Sequence, residues 1–172
     1  SRYLKDLGAD PILFINQGSS EHFQPQCDTY KNIEDFNFIK FFPFNASARG
    51  LFEYYFKKKE SLKFLKSYDH IFCCGLNMAF LEMSKIPIDY AIPYGSDLYL
   101  NTFPKFNLKK PLSSLCYKWL SKYQRKAFRS SKKVIINLHH QLYRDSVNRL
   151  EIKAEDWGIP CLLYTSDAAD DL

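Results

Sequence analysis

Five short apolar runs, at residues 12–16, 36–42, 70–74, 88–92 and 133–137, constrain this chain more than any other feature. Each is too short for a buried helix, and most are separated by stretches with a three- and four-residue apolar period. Helical patterns fall at 48–65 (one or two helices), 77–83, 112–129 and 141–150, while 17–29 and 101–110 carry the proline and small polar residues of loops. Apolar strand, helix, apolar strand is the pattern of a parallel sheet covered by helices, so the expected class is α/β.

The run Ile86-Pro87-Ile88-Asp89-Tyr90-Ala91-Ile92 stops abruptly in Pro93-Tyr94-Gly95-Ser96-Asp97-Leu98. In an open α/β sheet ligands bind outside the carboxyl ends of the strands, and a glycine there lets backbone approach a ligand closely. A second run, Asp69-His70-Ile71-Phe72-Cys73-Cys74, ends in Gly75-Leu76-Asn77. Parallel strands put both turns on one edge, so the two are expected to line one cleft.

These two runs and the helical segment before them resemble the N-terminal domain of family 4 glycosyltransferases, whose strand ends in a His-Gly-Ser-Asp type of loop. Gly95, Ser96 and Asp97 match that pattern, and Tyr94 stands where the histidine would be. The resemblance implies a Rossmann-like, mostly parallel sheet flanked by helices, the N-terminal half of a GT-B architecture. It also implies transfer of a sugar from a nucleotide-sugar donor to a glycan or glycolipid acceptor, with the donor held by a second domain that this chain lacks.

Such chemistry needs a base for the acceptor proton and a positive environment for the leaving diphosphate. Asp97 is the first candidate for the base or for a carboxylate that holds a sugar hydroxyl; capping of a turn or helix is its other reading. Tyr94, with an ordinary phenol pKa near ~10, suits hydrogen bonding or stacking on the acceptor better than proton abstraction. Gly95, Ser96, Gly75 and Asn77 are candidate acceptor-binding positions, although Gly75 and Asn77 also suit a tight strand-to-helix turn with Asn77 as its N-cap. His139 and His140 follow the run at 133–137 and read first as helix-entry residues, then as cleft residues. No cofactor and no metal site is expected. Against the enzyme stands a non-catalytic α/β module that recruits a glycan or a partner, a reading that Tyr94 in the histidine position favours.

The chain ends in Cys161-Leu162-Leu163-Tyr164-Thr165-Ser166-Asp167-Ala168-Ala169-Asp170-Asp171-Leu172, which looks like the translation of a transposase-based sequencing adapter. The expected native domain is therefore 1–160, with 161–172 a foreign tail. At the other end, Ser1-Arg2-Tyr3-Leu4-Lys5-Asp6-Leu7-Gly8 reads as the tail of a helix closed by glycine, and Ala9-Asp10-Pro11 leads into the first run. In the resembling family this is the passage into the second strand, so the first strand is expected to lie upstream.

The chain has 24 lysines and arginines against 19 acidic residues; three of the acids lie in the tail, which leaves +8 over residues 1–160. An anionic partner fits that charge, a phosphorylated or nucleotide-bearing substrate or an anionic membrane surface before nucleic acid, for which no recognition signature is present; ordinary solubilising surface charge is the other reading and the commoner one in lysine-rich chains. Cys27, Cys73, Cys74 and Cys116 have no zinc-ligand spacing and read as buried thiols of a reducing compartment. His22 beside Cys27 has no supporting context, and Asn45-Ala46-Ser47 is a sequon only in a secreted chain. The expected location is cytoplasmic, with a peripheral place at the inner face of the membrane as a further option.

Leu112, Leu115, Cys116, Trp119, Leu120, Tyr123 and Ala127 form one apolar stripe on the helix at 112–129, with Pro111 in its first turn. Lys118, Lys122, Arg125, Lys126 and Arg129 fill its remaining surface, and Lys105, Lys109 and Lys110 precede it. The stripe is expected to face the core, with the basic side solvated and able to assist membrane association.

Overall fold

The structure, a computed structural model, describes residues 4–5, 7–16, 37–93 and 95–157. Tyr94, His22, Cys27, Phe36, the expected loop at 17–29 and the tail at 161–172 lie outside the described residues. The protein is α/β, with parallel strands and helices between them, in two compact units divided between Ser61 and Leu62. The strands form two separate sheets, one in each unit.

In the first unit Leu4 and Lys5 are helical, and Gly8, at φ +84°, closes that turn. Its N–H donates to the Lys5 carbonyl and the Ala9 N–H to the Leu4 carbonyl, at 2.9 and 3.0 Å, the paired bonds of a Schellman cap. Strand β1 (Leu13–Ile15) then pairs in parallel with β2 (Ile39–Phe41), Leu13 opposite Ile39. Phe38, Phe42, Phe44, Leu51 and Tyr54 are buried, with edge-to-face contacts from Phe44 to Phe42 (5.0 Å) and to Tyr54 (5.6 Å). Helix α1 (Ala48–Glu53) starts at Ser47, whose hydroxyl accepts the Gly50 N–H at 3.2 Å. It runs on into a π-turn (Tyr54–Lys58) and a 3₁₀ segment (Lys59–Ser67), so the helical pattern at 48–65 is three conformations in series.

The second unit is built on a four-stranded parallel sheet: β3 (Phe72–Cys73), β4 (Tyr90–Ala91), β5 (Lys133–Ile136) and β6 (Glu155–Asp156), side by side in chain order. Helix α2 (Asn77–Met83) follows β3, the short α3 (Ser96–Tyr99) and the long α4 (Pro111–Ser130) follow β4, and α5 (Gln141–Leu150) follows β5. Met78, Ala79, Phe80 and Leu81 of α2, Leu120, Ala127 and Phe128 of α4, Val134 to Ile136 of β5, and Val147 and Leu150 of α5 make its core. β6 and α3 carry no apolar run of their own, and the sequence reading has neither.

The expected stripe on α4 is corrected. Leu112 and Leu115 are exposed, and the buried positions are Ser114, Leu120, Ser121, Gln124, Ala127 and Phe128. The helix is turned so that a buried amide and two hydroxyls reach backbone partners, which a count of apolar residues does not detect.

Gly50 is a close-approach glycine. A Cβ there would fall inside the Asn45 carbonyl, which cannot easily retreat because it accepts the Ser47 N–H at 2.8 Å. Gly50→Ala should cost about 1–3 kcal/mol, read as a lower urea midpoint with unchanged slope. An unchanged midpoint would remove this packing from the description of α1.

Candidate functional site

In the second unit the turns after β3 and β4 open on the same sheet edge, as the parallel register Cys73 to Ala91 requires. One side chain fastens them together. The Asp97 carboxylate accepts the Gly75 N–H on Oδ2 at 2.9 Å and the Gly95 N–H on Oδ1 at 3.0 Å. Gly75 stands at φ +66°, a left-handed conformation that suits glycine, and this aims its N–H at the carboxylate of the next turn.

A second side chain ties the same turns from below. Gln124 of α4, with no exposed surface, donates through Nε2 to the Gly75 carbonyl at 3.0 Å and to the Asp97 carbonyl at 3.3 Å. Gly75 is thus held at both its N–H and its C=O. Gln124 Oε1 and Asn77 Oδ1 are buried and have no hydrogen-bond partner among the described residues.

Asp97 is only 4% exposed. Burial pushes its carboxyl above the usual carboxylate range, and the N–H groups of Gly75, Gly95 and Leu98 only partly offset this. With both oxygens engaged and so little surface, the carboxyl is placed to shape the two turns more than to meet a proton donor from outside. Ser96, between Gly95 and Asp97, is exposed, and Gly95 is half-buried. Asn77 is the first residue of α2 and not its N-cap; Leu76 holds that position, with no side-chain cap bond.

The third strand end, after β5, reaches the same edge. The Asn137 side chain accepts the His139 N–H at 2.9 Å, and His139 lies exposed, 3.6 Å from Asp156 Oδ2. His140 is the N-cap of α5, its ring 5.1 Å from that of Tyr143. The Cys73 thiol is buried and pushed up, chiefly by burial, so it is no nucleophile at neutral pH. Among the described residues no group of three His, Cys, Asp or Glu side chains could hold a metal ion.

The opposite edge has its own aspartate, which the sequence reading does not single out. Asp89, just before β4, accepts the Ile71 N–H at 2.8 Å on Oδ2 and pairs through Oδ1 with the Lys132 ammonium. Its carbonyl accepts the Lys133 N–H at 2.9 Å, so Asp89 joins the amino ends of β3, β4 and β5. Burial alone would raise its carboxyl, but Lys132 and the Ile71 N–H outweigh that and hold it below the usual range.

Comparison of the chain with protein-family models, with curated proteins and with solved structures finds no match. The site is therefore read from its geometry.

The two aspartates should show opposite linkage. A lowered native pKa contributes stability above the ordinary carboxylate pKa, near ~4, that is lost as pH falls, whereas a raised one weakens the fold as pH rises through the interval above ~4. The penalty of Asp89→Asn should therefore grow with rising pH in the acid range and that of Asp97→Asn should shrink. Asp97→Asn, which sets an amide N–H₂ against a backbone N–H, should still cost about 2–3 kcal/mol near neutrality. Urea unfolding of both variants from acid to neutral pH measures this, and parallel pH trends would contradict it.

Proposed function

We propose that this chain is the acceptor-side, Rossmann-like domain of a GT-B-type glycosyltransferase resembling family 4, acting on a glycan or glycolipid with a nucleotide-sugar donor held by a second domain. The observation that carries this reading is the Asp97 clasp. Two small polar turns at the carboxyl ends of adjacent parallel strands are fixed to each other, and that edge is where open α/β sheets bind ligands. The Gly95-Ser96-Asp97 sequence that makes the clasp is also the part of the loop that matches the family pattern.

In this reading Asp97 is a positioning residue. Transfer joins the acceptor oxygen to the anomeric carbon while the bond to the diphosphate breaks and the acceptor's proton passes to the departing diphosphate, and the acceptor must be presented at a fixed angle. A wall whose backbone is held by Asp97 and Gln124 supplies that angle, with the Ser96 hydroxyl and the Gly75 to Asn77 turn as acceptor contacts. The buried state of the Asp97 carboxyl favours a second reading, a non-catalytic glycan-binding module on the same edge.

Amide chemical-shift mapping tests both. Soluble oligosaccharides and glycolipid headgroups should perturb Gly75, Gly95 and Ser96, and nucleotide sugars alone should not. Silence at those amides toward every carbohydrate sinks both readings, and a response to the nucleotide alone makes this a donor-side domain.

A further inference from the structure

We infer that the loop before α4 and the first turns of that helix form a surface that docks on anionic lipid bilayers. Four large apolar side chains stand out of the fold there: Leu108 (85% exposed), Leu112 (79%), Leu115 (55%) and Phe106 (52%). They are held together. The buried Ser114 hydroxyl accepts the Asn107 N–H at 3.0 Å and donates to the Asn107 carbonyl at 3.2 Å. The Asn107 side chain in turn accepts the Lys109 N–H at 2.9 Å, and its carbonyl accepts the Lys110 N–H at 3.1 Å. Phe106 and Leu108 therefore flank a residue pinned to the helix that carries Leu112 and Leu115. An open pocket of about 260 Å³, lined by Leu100, Asn101, Pro104, Lys105, Ser114 and Tyr117, continues the apolar surface.

Charge selects the occupant. From residue 98 to residue 144 the chain has no acidic residue, against eight lysines and three arginines. Arg144, at the end of this stretch, donates to the Gln141 side chain, and the other ten cations divide into two sets. Arg125, Lys126, Arg129, Lys132 and Lys133 are used by the fold: they bind the Thr102 carbonyl, Glu82, the Leu150 carbonyl, Asp89 and Glu155, respectively. Lys105, Lys109, Lys110, Lys118 and Lys122 are exposed and make no ion pair among the described residues. These are the lysines around the apolar knob: three lie in the loop, and Lys118 and Lys122 share the Leu115 side of the helix at three- and seven-residue steps. The first turn of α4 has no acidic residue to offset this charge either.

Exposed leucines ringed by exposed lysines match the boundary of an anionic bilayer, where acyl chains take the apolar tips and headgroup phosphates take the ammoniums. A nucleic acid would use the lysines and leave the leucines idle. A carbohydrate-binding role is not required, and a chain that transferred no sugar would show the same behaviour.

The test is co-sedimentation of the 172-residue chain with phosphatidylcholine vesicles, with and without phosphatidylglycerol. Binding should appear with the anionic lipid and fall with salt. Leu108→Ser with Leu112→Ser should weaken it roughly tenfold, and Lys105→Glu, Lys109→Glu and Lys110→Glu together by about a hundredfold. All five side chains are exposed, so both variants should keep the wild-type melting temperature, which separates lost docking from lost fold. Equal binding to neutral vesicles, no binding to anionic ones, or full binding by the leucine variant overturns the inference. Dependence on lysine without dependence on leucine would overturn it too, in favour of a generic polyanion site.

Discussion

The carboxyl edge of the four-stranded sheet depends on one carboxylate. Strands β3 and β4 are only two residues long, so their own ladder does little to fix the chain beyond them. The turns at their carboxyl ends keep a defined relation because Asp97 accepts an N–H from each, and because Gln124 closes the same gap from the helix layer. Two short strands with loose ends would present a fluctuating rim. The same strands with one buried acceptor between them present a fixed one, and the penalty is a desolvated charge.

The sheet uses the same device at its other end, with a different balance. Asp89 has a lysine partner at the surface and stays easily ionised, while Asp97 has only backbone N–H groups to offset its burial. A cation beside Asp97 would relieve that penalty, but it would also fill the space between the turns. At the amino edge Lys132 occupies that place beside Asp89. The carboxyl edge keeps its dipoles and leaves the backbone in reach.

Much of the element order was legible. All five apolar runs contain a strand, and the helices at 77–83 and 141–150 have the expected limits; the first is bounded in the sequence by Gly75 before it and Pro87 after it. The face of α4 was not legible. A stripe count treats Ser114, Ser121 and Gln124 as surface, whereas each sits inside with a backbone partner, and Leu112 and Leu115 are left outside. Of the candidate site, the sequence marked Gly75, Gly95 and Asp97 as neighbours on one edge. It could not show that Asp97 binds Gly75 across 22 positions, nor that Gln124 joins them, since a lone glutamine in a lysine-rich helix carries no signal of burial. Asp89 was hidden because it sits inside the apolar run at 88–92, where it reads as one more strand position.

The chain-order arrangement of β3, β4, β5 and β6 has a kinetic side. In a doubly wound sheet a late strand must insert beside an early one, and the chain between them has to be closed before the contact is rewarded. Here each new strand docks on its immediate predecessor. Pairing distances along the chain stay close to the length of one connection, which keeps contact order low for a parallel sheet. The unit can therefore grow from one side, each helix covering its strand pair before the next arrives, and no intermediate has to hold open a slot for a strand not yet made. The Asp97 clasp likewise joins neighbours in this order, since both turns that it holds belong to the first strand pair of the sheet.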